Sequence, residues 1–164
     1  MNIKISFYVL LYLILLSVNI NAQQDGSSCS LAIPVNPGTY NVTELVGVSS
    51  QPNVQGSIWY SFTPTSSGLL SINSCGGGAD TKLWIWDVCV SDFSTIQAVS
   101  QNDDTPGCSS LANATNNYAS SISNLVLIAG NTYFFEWDGS PRMVCVLHWR
   151  VFLMQYGQLF YNRV

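Results

Sequence analysis

An all-β sandwich or jelly roll of about eight antiparallel strands is the fold this sequence predicts, and three observations carry that expectation. Short runs alternate apolar with other side chains at a period of two, the period that puts one face of a strand in a core. Clusters of Gly, Pro, Asn and Ser separate the runs at close intervals. Only 9% of the 164 residues are charged, against roughly 25% in an ordinary soluble domain. The surface must therefore be built from Ser, Thr, Asn, Gln and Gly, and long charged helices are not expected.

Taken in order, the first element is a leader. Lys4 precedes an apolar run over 5–18, and Ala22 offers a small residue before Gln23 and Gln24. That layout predicts a secretory signal peptide over 1–22, cleaved after Ala22. The alternative is an uncleaved signal anchor, because the run approaches the ~20 apolar residues that span a bilayer. Strands are then expected at 39–43 and at Ser57-Ile58-Trp59-Tyr60-Ser61-Phe62-Thr63, where Ile58, Tyr60 and Phe62 share a face and Pro64 ends the run. Leu70 and Ile72 repeat the alternation until Cys75-Gly76-Gly77-Gly78 breaks it. In Thr81-Lys82-Leu83-Trp84-Ile85-Trp86-Asp87, Leu83 and Ile85 take one side and Lys82, Trp84 and Trp86 the other. Further strands are expected at 96–100, 119–127, 132–138 and 144–153. Domain organisation follows: a signal peptide at 1–22, a sandwich at 23–138, and a closing strand with an atypical tail at 139–164. That tail concentrates Arg142, Arg150, Arg163 and the single His148. It is either a genuine last strand or a departure from an ancestral pattern through truncation or a frame error.

An ordered set of motifs also carries a family resemblance. The succession is Trp59-Tyr60-Ser61-Phe62-Thr63-Pro64, Gly68-Leu69-Leu70-Ser71-Ile72, and Cys75-Gly76-Gly77-Gly78-Ala79-Asp80-Thr81-Lys82-Leu83-Trp84-Ile85-Trp86-Asp87. Asn102-Asp103-Asp104, Ala119-Ser120-Ser121-Ile122 and Ala129-Gly130-Asn131-Thr132-Tyr133-Phe134-Phe135 complete it. From about Cys29 to Asp138 the chain resembles the bacterial pre-peptidase C-terminal domain of secreted peptidases and surface proteins, of the kind found in Bacteroidetes. The resemblance implies a non-catalytic β-sandwich with a binding or accessory role. After Asp138, Gly139-Ser140-Pro141-Arg142 departs from the aromatic, acidic last strand of that family.

Function classes narrow by exclusion. A formal charge of −4 disfavours nucleic-acid binding through a basic field. His148 stands alone, no Gly-x-Ser-x-Gly elbow occurs, and the run Gly76 to Gly78 lacks the Lys-Ser/Thr of a phosphate loop. The chain is therefore not expected to be an enzyme; a small secreted hydrolase using paired carboxylates is a remote alternative. The sequons at Asn41 and Asn113 matter only in a eukaryotic source.

Three sets of candidate residues remain. Exported cysteines favour bridges over thiols. Of the three ways to pair Cys29, Cys75, Cys89 and Cys108, the expected scheme is Cys29 with Cys75 and Cys89 with Cys108, leaving Cys145 as a buried small side chain or, less readily, a reactive thiol. Asp80, Asp87, Asp103, Asp104 and Asp138 fall at strand ends or in loops, where their oxygens could converge on calcium. The competing reading is that these are ordinary turn and loop acids, with Asp80 capping a turn by bonding nearby backbone amides. Lys82, Trp84 and Trp86 are the expected contact face for an extracellular polysaccharide or protein surface, unless both faces of the sheet are covered and the indoles are core. The function expected is a secreted binding module; the alternative is a ligand-free accessory or spacer domain.

Overall fold

The computed structural model describes residues 23–42, 44–52, 56–110 and 116–139, with the backbone alone of 145–152. The expected signal peptide, the sequon at Asn113 and the end of the tail lie outside them. A 3-10 turn at Cys29–Leu31 leads into nine strands among the described residues. These are β1 Ile33–Pro34, β2 Thr39–Val42, β3 Ser57–Phe62, β4 Gly68–Asn73, β5 Thr81–Trp86, β6 Ser100–Asn102, β7 Ser121–Leu127, β8 Tyr133–Gly139 and β9 Cys145–Phe152.

They form two sheets, one ordered β1-β3-β8-β5-β6 and the other β2-β9-β4-β7. The β-sandwich expected from alternation is thus the observed class. Two details differ. The two-residue β1 pairs parallel with β3, whereas every other pairing is antiparallel. The strand expected at 96–100 instead starts at Ser100, because residues 88–99 turn back over the sheet and pack on its outer face.

Period-two alternation builds the core. Ile58, Tyr60 and Phe62 of β3, Leu83 and Ile85 of β5, and Tyr133, Phe135 and Trp137 of β8 are buried against Val42, Leu70, Ile72, Ile122 and Leu127 of the second sheet. Burial of one such side chain contributes about 1.5–3 kcal/mol. In β7 the register against β4 slips between Leu70 and Ile72, with Asn124 at φ 60°. That extra residue lets Ile122, Leu125 and Leu127 all face the core. Asn is among the few non-glycine residues that tolerate this conformation. β9 runs between β2 and β4. The final strand is therefore a central member of its sheet and joins β2 to the rest.

Two bridges fasten the loops at opposite ends of β5. Cys29 pairs with Cys89 at a Cα separation of 5.6 Å, and Cys75 with Cys108 at 4.8 Å. The four cysteines expected to be bridged are bridged, but the expected partners are wrong. Cys29 lies on the outer face of the first sheet, within the cluster that holds Trp59 and Trp86, and Cys89 follows β5 onto that face. Cys75 follows β4 of the other sheet and meets the loop that carries Cys108. A disulfide needs Cα atoms within about 7 Å, so topology selects the partners. The backbone of Cys145 pairs with Val42 at the start of β9; its side chain lies outside the description.

Candidate functional site

The outer face of the first sheet is where unusual chemistry accumulates. Strand alternation sends Ser57 and Trp59 of β3, Phe134, Glu136 and Asp138 of β8, and Lys82, Trp84 and Trp86 of β5 to the side away from the main core. Pairing then sets them in rows. Ser57, Asp138 and Lys82 lie across one row, Trp59, Glu136 and Trp84 across the next, and Ser61, Phe134 and Trp86 across the third. Chain returning from elsewhere roofs these rows. Cys29 and Ala32, with the partly buried Phe93, Ile96 and Ala98, form a second core on Trp59 and Trp86. The Phe93 ring sits 5.3 Å from Trp59 and 4.5 Å from Trp86.

This corrects the expected contact face. Trp86 is 2% exposed and part of the second core; it is not an outward platform. Trp84 is partly buried against the same cluster. Lys82 stays at the surface, where Nζ donates to Asp103 Oδ2 at 2.6 Å. Alternation did direct the indoles away from Leu83 and Ile85, but a second layer waited there. A sequence shows which residues leave one core, not what covers them on the other side.

The expected carboxylate set also divides. Asp80, Asp103 and Asp104 bring carboxylate oxygens within 4.8 Å of one another at the start of β5. Burial, followed by the charges of Asp104 and Asp103, raises the Asp80 pKa. The hydrogen bond from Lys82 to Asp103 raises that of Lys82. The neighbouring Asn102 works as a turn residue, its Oδ1 accepting from Thr105 Oγ1 and from the Ser121 amide. Asp87 does not join the trio: it follows β5, a strand length of roughly 20 Å away at 3.3 Å per residue. Asp138 is instead buried on the roofed face, at 1% exposure.

There Asp138 has a partner that the sequence reading missed. Glu136, two residues earlier on β8, is fully buried on the same face. A loop over 47–52 closes on both acids. The Ser50 amide donates to Glu136 Oε1 at 2.6 Å, the Ser50 hydroxyl donates to Oε2, and Trp86 Nε1 donates to Oε2 at 3.1 Å. Ser49 Oγ lies 2.6 Å from Asp138 Oδ2 and 3.4 Å from Glu136 Oε1. Asp138 Oδ1 is buried without a hydrogen-bond partner among the described residues. Burial holds the Glu136 carboxyl above its ordinary value against the pull of these donors. Burial and then the charge of Glu136 push Asp138 up to about 8. The signal lay in the acidic i, i+2 spacing within Phe134-Phe135-Glu136-Trp137-Asp138, an otherwise aromatic strand.

Beside the acid pair lies an open cleft of about 530 Å³. Trp59, Phe93, Val48, Val90 and the Cys29–Cys89 bridge supply apolar lining, and Ser28, Ser30, Ser49, Ser50 and Ser91 supply hydroxyls. Among the described residues, none that lines it is charged. Trp59 is 2% exposed, and its buried indole N–H has no acceptor among the described residues. Val48 at the rim is 87% exposed. Gly47 brings the loop here: its N–H and C=O bond Ser57 at 2.8 and 2.9 Å. A Cβ at Gly47 would lie 2.5 Å from the Ser27 carbonyl oxygen.

The two bridges fit an exported protein, and among the described residues no helix is long and apolar enough to cross a membrane. Compared with protein-family models and with curated proteins, the chain matches none.

Proposed function

We propose that the protein is a secreted, non-catalytic binding module whose cleft takes a segment of an uncharged, hydroxyl-rich polymer, a neutral polysaccharide. The observation that carries this reading is the composition of the cleft: aromatic and aliphatic lining, a serine rim and no charge. Ligand sites are mostly apolar with a few orienting polar groups. Sugar rings offer C–H faces to an aromatic wall and hydroxyls to Ser oxygens. The pre-peptidase-domain resemblance supports the same class of role. The second reading, a ligand-free accessory or spacer domain, draws on the burial of Trp86 beneath the chain's own loops.

Calcium has no part in the cleft in this proposal. Asp80, Asp103 and Asp104 lie at the opposite end of β5, and Lys82 already answers Asp103 there. The test is affinity electrophoresis through a panel of neutral polysaccharides, comparing the unmodified protein with Ser91→Arg and Ser30→Arg. Both serines are exposed at the rim, so neither change should disturb folding. Retention by at least one polymer, lost in the variants at an unchanged melting temperature, is expected. Absence of retention by every polymer, or retention indifferent to both substitutions, overturns the cleft reading.

A further inference from the structure

We propose that Glu136 and Asp138 form an acid-favoured latch that holds the 47–52 loop on β8, so that proton loss from the pair loosens one wall of the cleft. The effect on polymer binding rests on the cleft reading above; the latch itself does not.

The geometry is one of donors and acceptors that can be counted. Glu136 accepts from the Ser50 amide, the Ser50 hydroxyl and Trp86 Nε1. An ionised carboxylate is acceptor-only, and this arrangement suits it. Ser49 has one hydroxyl proton and two lone pairs. The Gln51 amide uses one lone pair, at 2.9 Å. When Asp138 is protonated, its O–H can donate to the other lone pair across 2.6 Å, which leaves the Ser49 proton for Glu136 Oε1. Ser49 and Glu136 are then satisfied, and only the neutral carbonyl oxygen Oδ1 of Asp138 is left without a donor among the described residues. When Asp138 is ionised, the single Ser49 proton cannot serve both acids, Asp138 Oδ1 still has no donor, and two negative charges sit side by side out of water. Such a pair is costly unless one member keeps its proton.

The charged groups facing the pair relieve it only in part: the Lys82 charge lowers the Asp138 pKa, but it is the smallest of the influences on it. From β5, Lys82 stands in register with Asp138 but extends to Asp103, itself 51% exposed, and is shared with Asp80. From β3 come Ser57 and Trp59, and residues 47–52 contain no ionisable side chain. The cheapest escape is for the loop to lift and admit water. That loop supplies Val48, Ser49 and Ser50 to the cleft.

The sign follows from linkage. Asp138 has a pKa of about 8 with the loop seated and an ordinary carboxylate value once the loop lifts. Opening is therefore least at low pH, grows by up to about tenfold per pH unit between ~4 and 8, and levels off above that.

The experiment is amide hydrogen exchange at Ser50 and Gln51, followed by NMR from pH 5 to 9 and corrected for the intrinsic pH dependence of exchange. Protection is expected to fall at least about tenfold between pH 5 and 8 in the unmodified protein. In Asp138→Asn, which carries no proton to lose, it should stay within about threefold. Ser49→Ala removes the hydroxyl that joins Asp138 to Glu136 and should lower protection at Ser50 already at pH 5, which keeps the test decisive should Asp138→Asn fail to fold. Flat protection in the unmodified protein, or an equal fall in Asp138→Asn, overturns the latch. Polymer binding read alongside separates the two proposals. A latch that titrates in a protein retaining no polymer defeats the cleft reading alone; pH-indifferent retention with a flat loop defeats the latch alone.

Discussion

Two single residues show how closely this face is set. Gly47 lies where any Cβ would press on the backbone of Ser27 at 2.5 Å, and backbone cannot swing aside as the end of a side chain can. Gly47→Ala is therefore expected to destabilise by about 1–3 kcal/mol through overpacking, measured as a shift in urea midpoint with unchanged m-value. Asp138 makes the opposite case. Its folded pKa is raised to about 8, so the folded state holds a proton that the unfolded chain releases near pH 4. Stability from this group is fully present below the unfolded value and is lost as pH climbs towards 8. Asp138→Asn should accordingly be more stable than the parent at pH 8, by at least about 1 kcal/mol, with a smaller difference at pH 5. Denaturant melts at the two pH values decide it; a parent as stable at pH 8 as at pH 5 would count against the buried acid.

At the scale of elements, the consequential strand is the last. β9 lies between β2 and β4, and β2 has no other neighbour in its sheet. A chain ended after Gly139 would leave two unpaired edges and expose Val42, Leu70 and Ile72 of the core. Loss of cooperative thermal unfolding is expected, with collapse of amide dispersion in NMR spectra; a truncated chain that melts sharply would show the strand to be dispensable. Bridges act on a similar scale. Cys29–Cys89 closes 60 residues and Cys75–Cys108 closes 33, each worth roughly 4 kcal/mol in the chain-entropy model. Non-reducing peptide mapping should recover these two pairs, and recovery of Cys29 joined to Cys75 would contradict the topology.

Across the whole molecule, the two ends of β5 have different characters. One carries an acidic trio answered by Lys82, the other an uncharged cleft beside a bridge. Polymer retention is therefore expected to be unchanged by chelator or by added calcium, since a cation at Asp80, Asp103 and Asp104 stands a strand length from the cleft. A chelator that abolishes retention would tie the acids to binding after all.

How much of this was legible without coordinates depends on the range of the interaction. Alternation in Ser57-Ile58-Trp59-Tyr60 and Leu83-Trp84-Ile85-Trp86 is local, and it determined by itself the strands, the inward residues and the sandwich class. The four bridged cysteines were likewise within reach, because export acts on each cysteine residue by residue. The partners of those cysteines were not. They depend on which sheet each loop borders, a property of the pairing order β1-β3-β8-β5-β6 that no local pattern encodes. The fate of Trp86 has the same cause: a strand's second face is solvent or core according to what returns to cover it, and here residues 26–32 and 47–52 return from distant stretches of chain while 88–98 fold back from the end of β5 itself. Glu136 and Asp138 became a buried pair only beneath that roof, since desolvation is a property of the surrounding volume rather than of the sequence around an acid.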